Sequence, residues 1–313
     1  MAPKFFVAGA TGTQGGALVR QLLQSTPTPT IHAVARDPSS PKAKALEALG
    51  VHLHAGSYDD EPALRAAITP GTTAIFLNFM PDFTDHTANL RQAQLIIGIA
   101  REVGVTHAVF SSGLGVDDIP YVCEGNEDGT VATFLRAKAE LEDAVRNAGF
   151  DTWTVLRPAN FMANYKDPFV RFQAPGLAES GRAVGAIDVE APLPLIATRT
   201  IGGFSAAALL EPARFGGKTI SYADEFVPLK EVIQKLRAFT GKDLQYIRMS
   251  EEDIQAQKAV NPFVGGALAV TKIAKYVDLD EVKSWGVPLQ TFDEFLESEK
   301  EAVLETYAQV ASI

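Results

Sequence analysis

The sequence predicts an α/β fold in which a doubly wound parallel sheet is followed by a smaller C-terminal lobe. Short apolar segments alternate with helical patterns over the first half of the chain, and strands spaced in this way form parallel sheets with helices on both faces. The first apolar segment, residues 4–8, runs directly into a turn that carries Gly9, Gly12 and Gly15, and an apolar-periodic helix follows. Strand, glycine turn and helix therefore place the first crossover of the sheet at the start of the chain.

The three glycines are spaced as in turns that bind the pyrophosphate of a dinucleotide. Together they permit a tight turn, close approach of a phosphate and close packing of the helix on the first strand. Free N–H groups and the positive dipole end at the helix start favour an anion. Polar side chains beside the glycines are Thr11, Thr13 and Gln14. We expect a Rossmann-type dinucleotide-binding domain, and the alternative is a structural glycine-rich turn.

The other elements follow from the hydrophobic period of each segment. Strands are predicted at residues 4–8, 31–35, 51–55, 74–77, 107–113 and 152–156, and helices at 17–23, 42–49, 61–68, 87–103 and 131–147, with a polar loop at 115–129. Pro158 is expected to end the sixth strand. We place the Rossmann domain at residues 1–157 and the smaller substrate or partner lobe at 158–313, with helices and a strand returning to the main domain.

Weaker patterns describe the lobe. Residues 162–194 predict short strand-like pieces, residues 201–210 and 229–241 helices, and residues 219–222 a strand. Ser250 is the predicted N-cap of a helix. Residues 261–266 are predicted to form a loop, and residues 291–307 one acidic amphipathic helix.

Composition argues against several classes of partner. The formal net charge is -10 and no Lys/Arg cluster is present, which disfavours nucleic acid and anionic membranes. The single cysteine, Cys123, excludes an internal disulfide framework and a multi-thiolate metal site. His52 and His54 share one face of a strand without a third ligand at a recognisable spacing, so no metal is predicted. Without a signal core or an apolar run of membrane-spanning length, the expected location is the cytoplasm.

Arg36 bears on the choice of cofactor. It ends the second predicted strand, where a dinucleotide fold meets the adenosine ribose. A carboxylate there bonds the free 2′-hydroxyl, whereas an arginine attracts a 2′-phosphate. The residue therefore favours NADP(H), and the alternative is a surface arginine paired with Asp37.

Other strand ends supply further candidate contacts, because ligands bind at the carboxyl ends of parallel strands. Ser57 follows the third strand on the adenine side, and Ser111 lies at the end of the fifth. Asn78 and Phe79 follow the fourth strand on the nicotinamide side, and Met80 is a candidate substrate contact.

Lys138 falls on or beside the apolar stripe of the helix after the fifth strand. An inward-facing ammonium there would point toward a ribose or a substrate. The alternative is a stem that crosses apolar surface with its charged end in water.

A mixed polar and aromatic segment follows the sixth strand and forms either a ligand site or the core of the lobe. Its candidate cofactor contacts are Pro158, Asn160 and Phe161. Its candidate substrate contacts are Met162, Asn164 and Phe169, to which we add Phe263 from the predicted loop.

Four segments together resemble the NmrA-like family of atypical short-chain dehydrogenase/reductases, which are common in fungi. They are residues 9–16 (GATGTQGG), 36–38 (RDP), 156–165 (LRPANFMANY) and 201–202 (IG). The resemblance implies pyrophosphate contacts from Gly9, Thr11, Thr13, Gln14 and Gly15, a 2′-phosphate contact from Arg36, and nicotinamide-side contacts from Phe79, Lys138 and Asn160. The family contains reductases, regulators that bind partner proteins, and enzymes of secondary metabolism.

The chain departs from the family pattern at three positions. Ser57 replaces the usual Asp near the adenine, and Thr200 replaces the Asp of a late Asp-Ile-Gly motif. Phe134 stands where ordinary short-chain dehydrogenases carry the catalytic Tyr four residues before Lys138. Phenylalanine cannot donate a proton, so Lys138 becomes the first candidate acid, with Tyr165 or a water as the second.

The leading hypothesis is an NADPH-dependent reductase that acts on a small, largely apolar organic substrate, with fungal secondary metabolism as the expected setting. One alternative is an NADP(H)-sensing regulatory protein that binds a protein partner without turnover. Another is an NADP-bound enzyme that catalyses a non-redox cyclisation or rearrangement. The oligomeric state is left open.

Overall fold

The computed structural model describes residues 2–80, 82, 84–258 and 260–313. The chain divides into two compact units. The first contains the chain up to residue 113 together with residues 136–157 and 198–220. The second contains residues 114–135, 158–197 and 221–313.

The elements up to residue 113 alternate between strand and helix. They are β1 (Lys4–Val7), α1 (Thr13–Leu22), β2 (Thr30–Ala35), α2 (Pro41–Ala48), β3 (His52–Ala55), α3 (Glu61–Ala67), β4 (Ala74–Leu77), α4 (Ala88–Glu102) and β5 (His107–Ser111). The next elements are α5 (Ile119–Val122), α6 (Thr130–Arg146) and β6 (Thr152–Pro158).

Shorter elements make up the remainder. They are β7 (Asn160–Phe161), a 3-10 turn (Met162–Tyr165), α7 (Val170–Gln173), α8 (Leu177–Ser180), β8 (Arg182–Gly185), β9 (Pro192–Ile196), α9 (Thr198–Leu210), α10 (Pro212–Phe215), β10 (Lys218–Tyr222), β11 (Glu225–Pro228), α11 (Leu229–Thr240), β12 (Gln245–Arg248), α12 (Glu251–Gln257), α13 (Pro262–Lys272), a 3-10 turn (Ile273–Tyr276), α14 (Leu279–Ser284), α15 (Phe292–Ser298) and α16 (Lys300–Thr306).

A seven-stranded sheet in the order β10-β6-β5-β4-β1-β2-β3 organises the first unit. The strand pairs from β3 to β6 are parallel, and in the centre Phe5 lies opposite Ile31 on one side and Ala74 on the other. β4 and β5 are buried along their whole length. This sheet with its flanking helices confirms the predicted α/β, Rossmann-type fold.

The helices α1 and α9 pack closely in the first unit, and Gly202 permits this contact. A Cβ at Gly202 would lie 2.7 Å from the carbonyl carbon of Ala17 and 2.8 Å from its oxygen. Such distances are well below ordinary van der Waals contact, so only glycine fits without a shift of backbone. The glycine of the family's late motif therefore has a structural explanation in this chain.

The second unit contains two small sheets and its own hydrophobic core. β9 pairs antiparallel with β11 and parallel with β7, while β8 and β12 form a separate parallel pair. Core side chains are contributed by the segment after β7, by β9, by α11 and by the last two helices, and include Met162, Tyr165, Leu195, Leu236 and Phe292.

Several predicted elements differ from the structure. The predicted loop at 115–129 contains α5, and the segment 162–194 contains α7 and α8, which are too short to give a hydrophobic period. β6 continues through Pro158 as its last residue, and the N–H of the next residue, Ala159, donates to the carbonyl of Tyr222.

Two further corrections concern helix ends. The predicted loop at 261–266 is the start of α13, because the Asn261 side chain accepts the N–H of Phe263 and Pro262 occupies the first turn. The predicted helix 291–307 is two helices, α15 and α16, separated at Glu299, whose φ of -113° and ψ of 20° are not helical. Ser250 is an N-cap as predicted, since its hydroxyl accepts the N–H of Asp253.

Candidate functional site

The glycine turn between β1 and α1 is held in a geometry that side chains could not adopt. Gly9 has φ of +76°, and a Cβ there would lie 3.0 Å from the carbonyl oxygen of Asn78. A Cβ at Gly15 would lie 2.2 Å from the carbonyl oxygen of Gly9. Gly12 is the N-cap of α1 and has no side chain to cap the helix. The first-turn N–H groups of α1 are therefore left without a side-chain cap.

Tyr58 closes one side of this turn, although no motif in the sequence pointed to it. Its hydroxyl accepts the N–H of Gly9 at 2.5 Å, and its ring packs edge-on against Phe79 with centroids 5.7 Å apart. Burial raises the pKa of this phenol. The neighbouring Ser57 hydroxyl accepts the N–H of Asp59 at 3.3 Å. The N–H of Gly9 is thus already hydrogen-bonded within the chain, which leaves this glycine a conformational role.

A chain of hydrogen bonds joins the turn to the ends of β4 and β5. Gln14 donates from Nε2 to Asn78 Oδ1 at 3.3 Å, and Ser111 donates from its hydroxyl to Gln14 Oε1 at 2.7 Å. Lys138, on α6, donates from Nζ to the carbonyl oxygen of Ser111 at 3.2 Å. The structure therefore brings together four residues that the sequence selected separately.

Lys138 is buried, with 7% of its surface exposed. Its Nζ lies 5.2 Å from the centre of the Phe110 ring, on the strand that also carries Ser111. Burial lowers the pKa of this amine to about 8, and the carboxylate of Glu142 opposes the shift. The ammonium is inside the unit, so the alternative of a charged end in water is excluded.

Glu142 lies one helical turn after Lys138 and binds two arginines. Arg157, on β6, donates Nε to Glu142 Oε1 at 2.9 Å and Nη2 to Oε2 at 2.7 Å. Arg146 donates Nη2 to Oε2 at 2.6 Å. This cluster was not predicted, although the spacing of four residues from 138 to 142 and from 142 to 146 is a signal for paired charges on a helix.

Arg36 lies exposed just after β2. Within the described residues no hydrogen bond or ion pair joins its guanidinium to Asp37. The Asp37 carboxylate instead accepts the N–H of Ser39 at 2.9 Å and its hydroxyl at 2.6 Å, and these bonds lower the pKa of Asp37. In this structure Ser39 is therefore the partner of the Asp37 carboxylate, which does not support the alternative of an Arg36–Asp37 surface pair.

In the second unit, the residues after β6 are mostly enclosed. Met162 is fully buried in the hydrophobic core, which identifies it as a core residue rather than the predicted substrate contact. Asn160 is buried, and its Oδ1 accepts Nδ2 of Asn164 at 2.9 Å. The Nδ2 of Asn160 and the hydroxyl of Tyr165 are buried without a hydrogen-bond partner among the described residues.

Tyr165 is a poor candidate acid for a physical reason. Its ring packs edge-on against Phe292 at 5.8 Å, and its carbonyl accepts the hydroxyl of Tyr307 at 2.7 Å. Burial raises the pKa of its phenol far above the ordinary value. Tyr165 is therefore a core residue whose phenol is a weaker acid than a free one.

The other candidate residues are more accessible, Pro158 excepted. Met80, in the first unit, is 78% exposed. In the second unit Phe263 is 50% exposed and stacks on Phe172, with ring centroids 6.2 Å apart. Phe161 and Phe169 are partly buried, and Pro158 is buried at the end of β6.

Neither a metal centre nor a membrane span is found in the part of the chain that the structure describes. Over these residues no cluster of three or more His, Cys, Asp or Glu side chains could hold a metal ion. His32 stacks on His52 and His54, with centroids 4.8 and 5.5 Å apart, so the two histidines of β3 do share a face. No described helix is both long and apolar enough to cross a bilayer.

Comparison with known proteins identifies the family. A model of the NmrA-like family matches residues 1–299. The NmrA-like family domain-containing oxidoreductase malD of Malbranchea aurantiaca is 24% identical over 258 residues, which cover 78% of this chain and 74% of that protein. Quinone oxidoreductase 2 of Escherichia coli (strain K12) is 28% identical over 253 residues, which cover 80% of this chain and 79% of that protein.

A solved structure supports the same fold. The NADPH-dependent quinone oxidoreductase QOR2 from Escherichia coli, complexed with NADPH, superposes with a TM-score of 0.73 at 24% identity. The alignment covers 94% of this chain and 99% of that chain. Because the family match extends over nearly the whole length, the chain belongs to the NmrA-like family.

Proposed function

We propose that this chain is an NADPH-dependent oxidoreductase that reduces a small, largely apolar organic substrate. The observation that carries the proposal is the buried Lys138, which is connected through Ser111 and Gln14 to the glycine turn. A proton-donating group and a phosphate-binding turn are thereby linked within one unit. The relatives named as oxidoreductases, one of them solved with NADPH, support this assignment.

The residues of the first unit fit the phosphates of NADP(H). At Gly15 a Cβ would collide with backbone, and the uncapped start of α1 provides N–H donors for an anion. Arg36 is exposed after β2 and carries the charge that a 2′-phosphate requires. The further cofactor contacts that we propose in this unit are Thr11, Thr13, Gln14, Ser57, Asn78, Phe79 and Ser111. The contacts expected from Pro158, Asn160 and Phe161, which belong to the second unit, stay predictions.

NADPH, when bound, supplies a hydride, and the chain must supply the matching proton. Phe134 has no proton to give. At pH 7 an amine with a pKa of about 8 is mostly protonated, and it releases its proton far more readily than an exposed lysine does. We propose that Lys138 donates one proton from Nζ to a reduced substrate, leaves the neutral amine, and regains a proton from solvent.

The weak acidity of the Lys138 ammonium indicates the substrate class. A quinone or another conjugated acceptor is stabilised as it takes up electrons, so it requires less help from a proton donor than a simple ketone does. The named activity of the Escherichia coli relative supports this class. In the second unit, the partly exposed rings of Phe169 and Phe263 are proposed substrate contacts, with Asn164 as a polar one. The contact expected from Met80, in the first unit, stays a prediction. A role in fungal secondary metabolism stays a prediction.

The test measures binding and turnover separately. Calorimetry with NADPH should detect binding, and NADPH oxidation at 340 nm in the presence of a benzoquinone should detect turnover. Lys138→Met should remove turnover, because methionine keeps the length of the stem and lacks the proton, while NADPH binding and the circular dichroism spectrum persist.

Each outcome has a different meaning. Retained turnover in Lys138→Met removes this residue from the mechanism. NADPH binding without oxidation, across quinones, conjugated alkenes and imines, favours the regulatory or the non-redox alternative. Lack of NADPH binding at millimolar concentration refutes the proposal as a whole.

A further inference from the structure

Glu142 is 1% exposed and receives three hydrogen bonds from two arginines. Arg157 engages both carboxylate oxygens, and the planar guanidinium holds them in a fixed orientation. Arg146 reinforces one oxygen from the more exposed side, since 27% of its side chain is accessible against 8% for Arg157. The single carboxylate therefore faces two guanidinium groups.

Lys138 would be expected to pair with the same carboxylate. The two residues lie four positions apart on α6, a spacing at which a lysine and a glutamate commonly form an ion pair. The Lys138 ammonium instead donates to the carbonyl of Ser111 and lies over the ring of Phe110, both on β5.

Groups on three elements of the first unit act on the Lys138 ammonium. Its own helix contributes Glu142, β5 contributes a carbonyl and an aromatic ring, and β6 contributes Arg157, which acts through Glu142. The one titratable group on β5, His107, bonds from its ring to the carbonyls of Thr152 and Ala208. Arg157 contacts both oxygens of Glu142 and so reduces the negative charge that reaches the lysine.

We propose that Arg157 is a positioning residue that holds the Glu142 carboxylate away from Lys138 and so keeps the lysine directed at Ser111 as a ready proton donor. The catalytic task of Lys138 rests on the proposed function, but the effect of Arg157 on the lysine is a property of the chain alone. It can be measured without turnover.

The proposal predicts shifts of opposite sign for two substitutions. Arg157→Met leaves the Glu142 carboxylate less neutralised, so the ammonium form of Lys138 gains an attractive charge and its pKa should rise by about one pH unit. Glu142→Gln removes the carboxylate that raises the pKa of Lys138 and leaves the arginines in place, so this pKa should fall. A purely structural role for Arg157 gives no reason for the signs to differ.

The experiment follows the 13Cε chemical shift of Lys138 against pH in lysine-labelled protein, with the signal assigned by Lys138→Arg. Arg157→Lys retains one positive charge opposite Glu142 and should restore most of the wild-type value. Arg146→Met loses one contact to the carboxylate and should produce a smaller upward shift. This variant also keeps the test decisive if Arg157→Met does not fold.

The results separate the two claims. Shifts of the same sign in Arg157→Met and Glu142→Gln, or no shift in folded Arg157→Met and Arg146→Met, would overturn the proposal. If the pKa of Lys138 moves as expected but the pH profile of NADPH oxidation does not follow it, the positioning role of Arg157 stands and the catalytic role of Lys138 fails.

Discussion

The substitution Gly15→Ala tests whether the glycine turn is built for close packing. The new Cβ would lie 2.2 Å from the carbonyl oxygen of Gly9, 2.5 Å from its carbonyl carbon and 2.8 Å from the N of Ala10. All three are backbone atoms, so no side chain can rotate away. The α1 helix must therefore move from β1 by about 1 Å, because carbon and oxygen prefer contact beyond about 3 Å.

The magnitude follows from two opposing contributions. Overpacking of this kind costs about 1–3 kcal/mol, whereas replacing glycine by alanine in a helix gains up to about 1 kcal/mol. We expect a net loss of about 1–2 kcal/mol in the free energy of unfolding. Displacement of the α1 N–H groups should also weaken NADPH binding by at least about tenfold, or about 1.4 kcal/mol.

Gly98→Ala provides the matched control. Gly98 is an exposed residue within α4, and a Cβ there meets no heavy atom within 4 Å. Urea unfolding should show Gly98→Ala to be more stable than wild type by about 0.5–1 kcal/mol. Calorimetry should show unchanged NADPH affinity for this control. If Gly15→Ala is as stable as Gly98→Ala and binds NADPH within twofold of wild type, the packing argument for the turn is refuted.

Two other predictions concern cofactor choice and acid stability. Arg36→Ala should weaken the binding of NADPH about tenfold or more in calorimetry and leave the binding of NADH nearly unchanged, because the guanidinium is expected to contact only the 2′-phosphate. Equal losses of affinity for both cofactors would contradict this role. His32 has its pKa lowered from 6.5 to about 4, first by burial and then by Lys4, His52 and His54, so its folded state favours the neutral ring. The stability that His32 contributes above pH 6.5 should therefore be lost as the pH falls toward 4. After a discount for partial exposure, the wild type should lose about 1 kcal/mol more of its free energy of unfolding than His32→Leu between pH 7 and pH 4.5, as measured by urea unfolding. Equal losses would show that His32 does not carry the effect.

The main sheet could be predicted because its signals are local. β4 is apolar at every position and is buried at every position, so its bounds in the structure equal the predicted ones. The helix predicted at 87–103 is α4, flanked by its caps Thr87 and Val103. The prediction of secondary structure was wrong where one dipeptide is typical of two different structures. Asn261-Pro262 is typical of a turn and equally of a helix start, and neighbouring structure decides between them.

Candidate site residues, like the helices and strands, could be predicted only where the signal is local in the sequence. Gly9 and Gly15 were recognisable because their spacing is itself the signal, whereas Tyr58 acts on a residue 49 positions away through a contact that no local pattern encodes. Met162 was misassigned for the converse reason. A methionine beside polar residues looks the same in a pocket and in a core, and only its complete burial distinguishes the two.

The charge cluster behind Lys138 bears directly on the proton transfer that we propose for this residue. An exposed lysine is a weak acid at neutral pH, and a lysine paired with a carboxylate is weaker still, because both situations favour the ammonium. Burial of Lys138 acts in the opposite direction and lowers its pKa, while the charge of Glu142 opposes this shift. Partners that neutralise Glu142 therefore favour the lower pKa. Arg157 and Arg146 are those partners, so the proton-donating ability that we propose for Lys138 depends on residues that need not touch the substrate. Substituting these arginines should therefore alter the pH dependence of turnover before it alters the binding of NADPH.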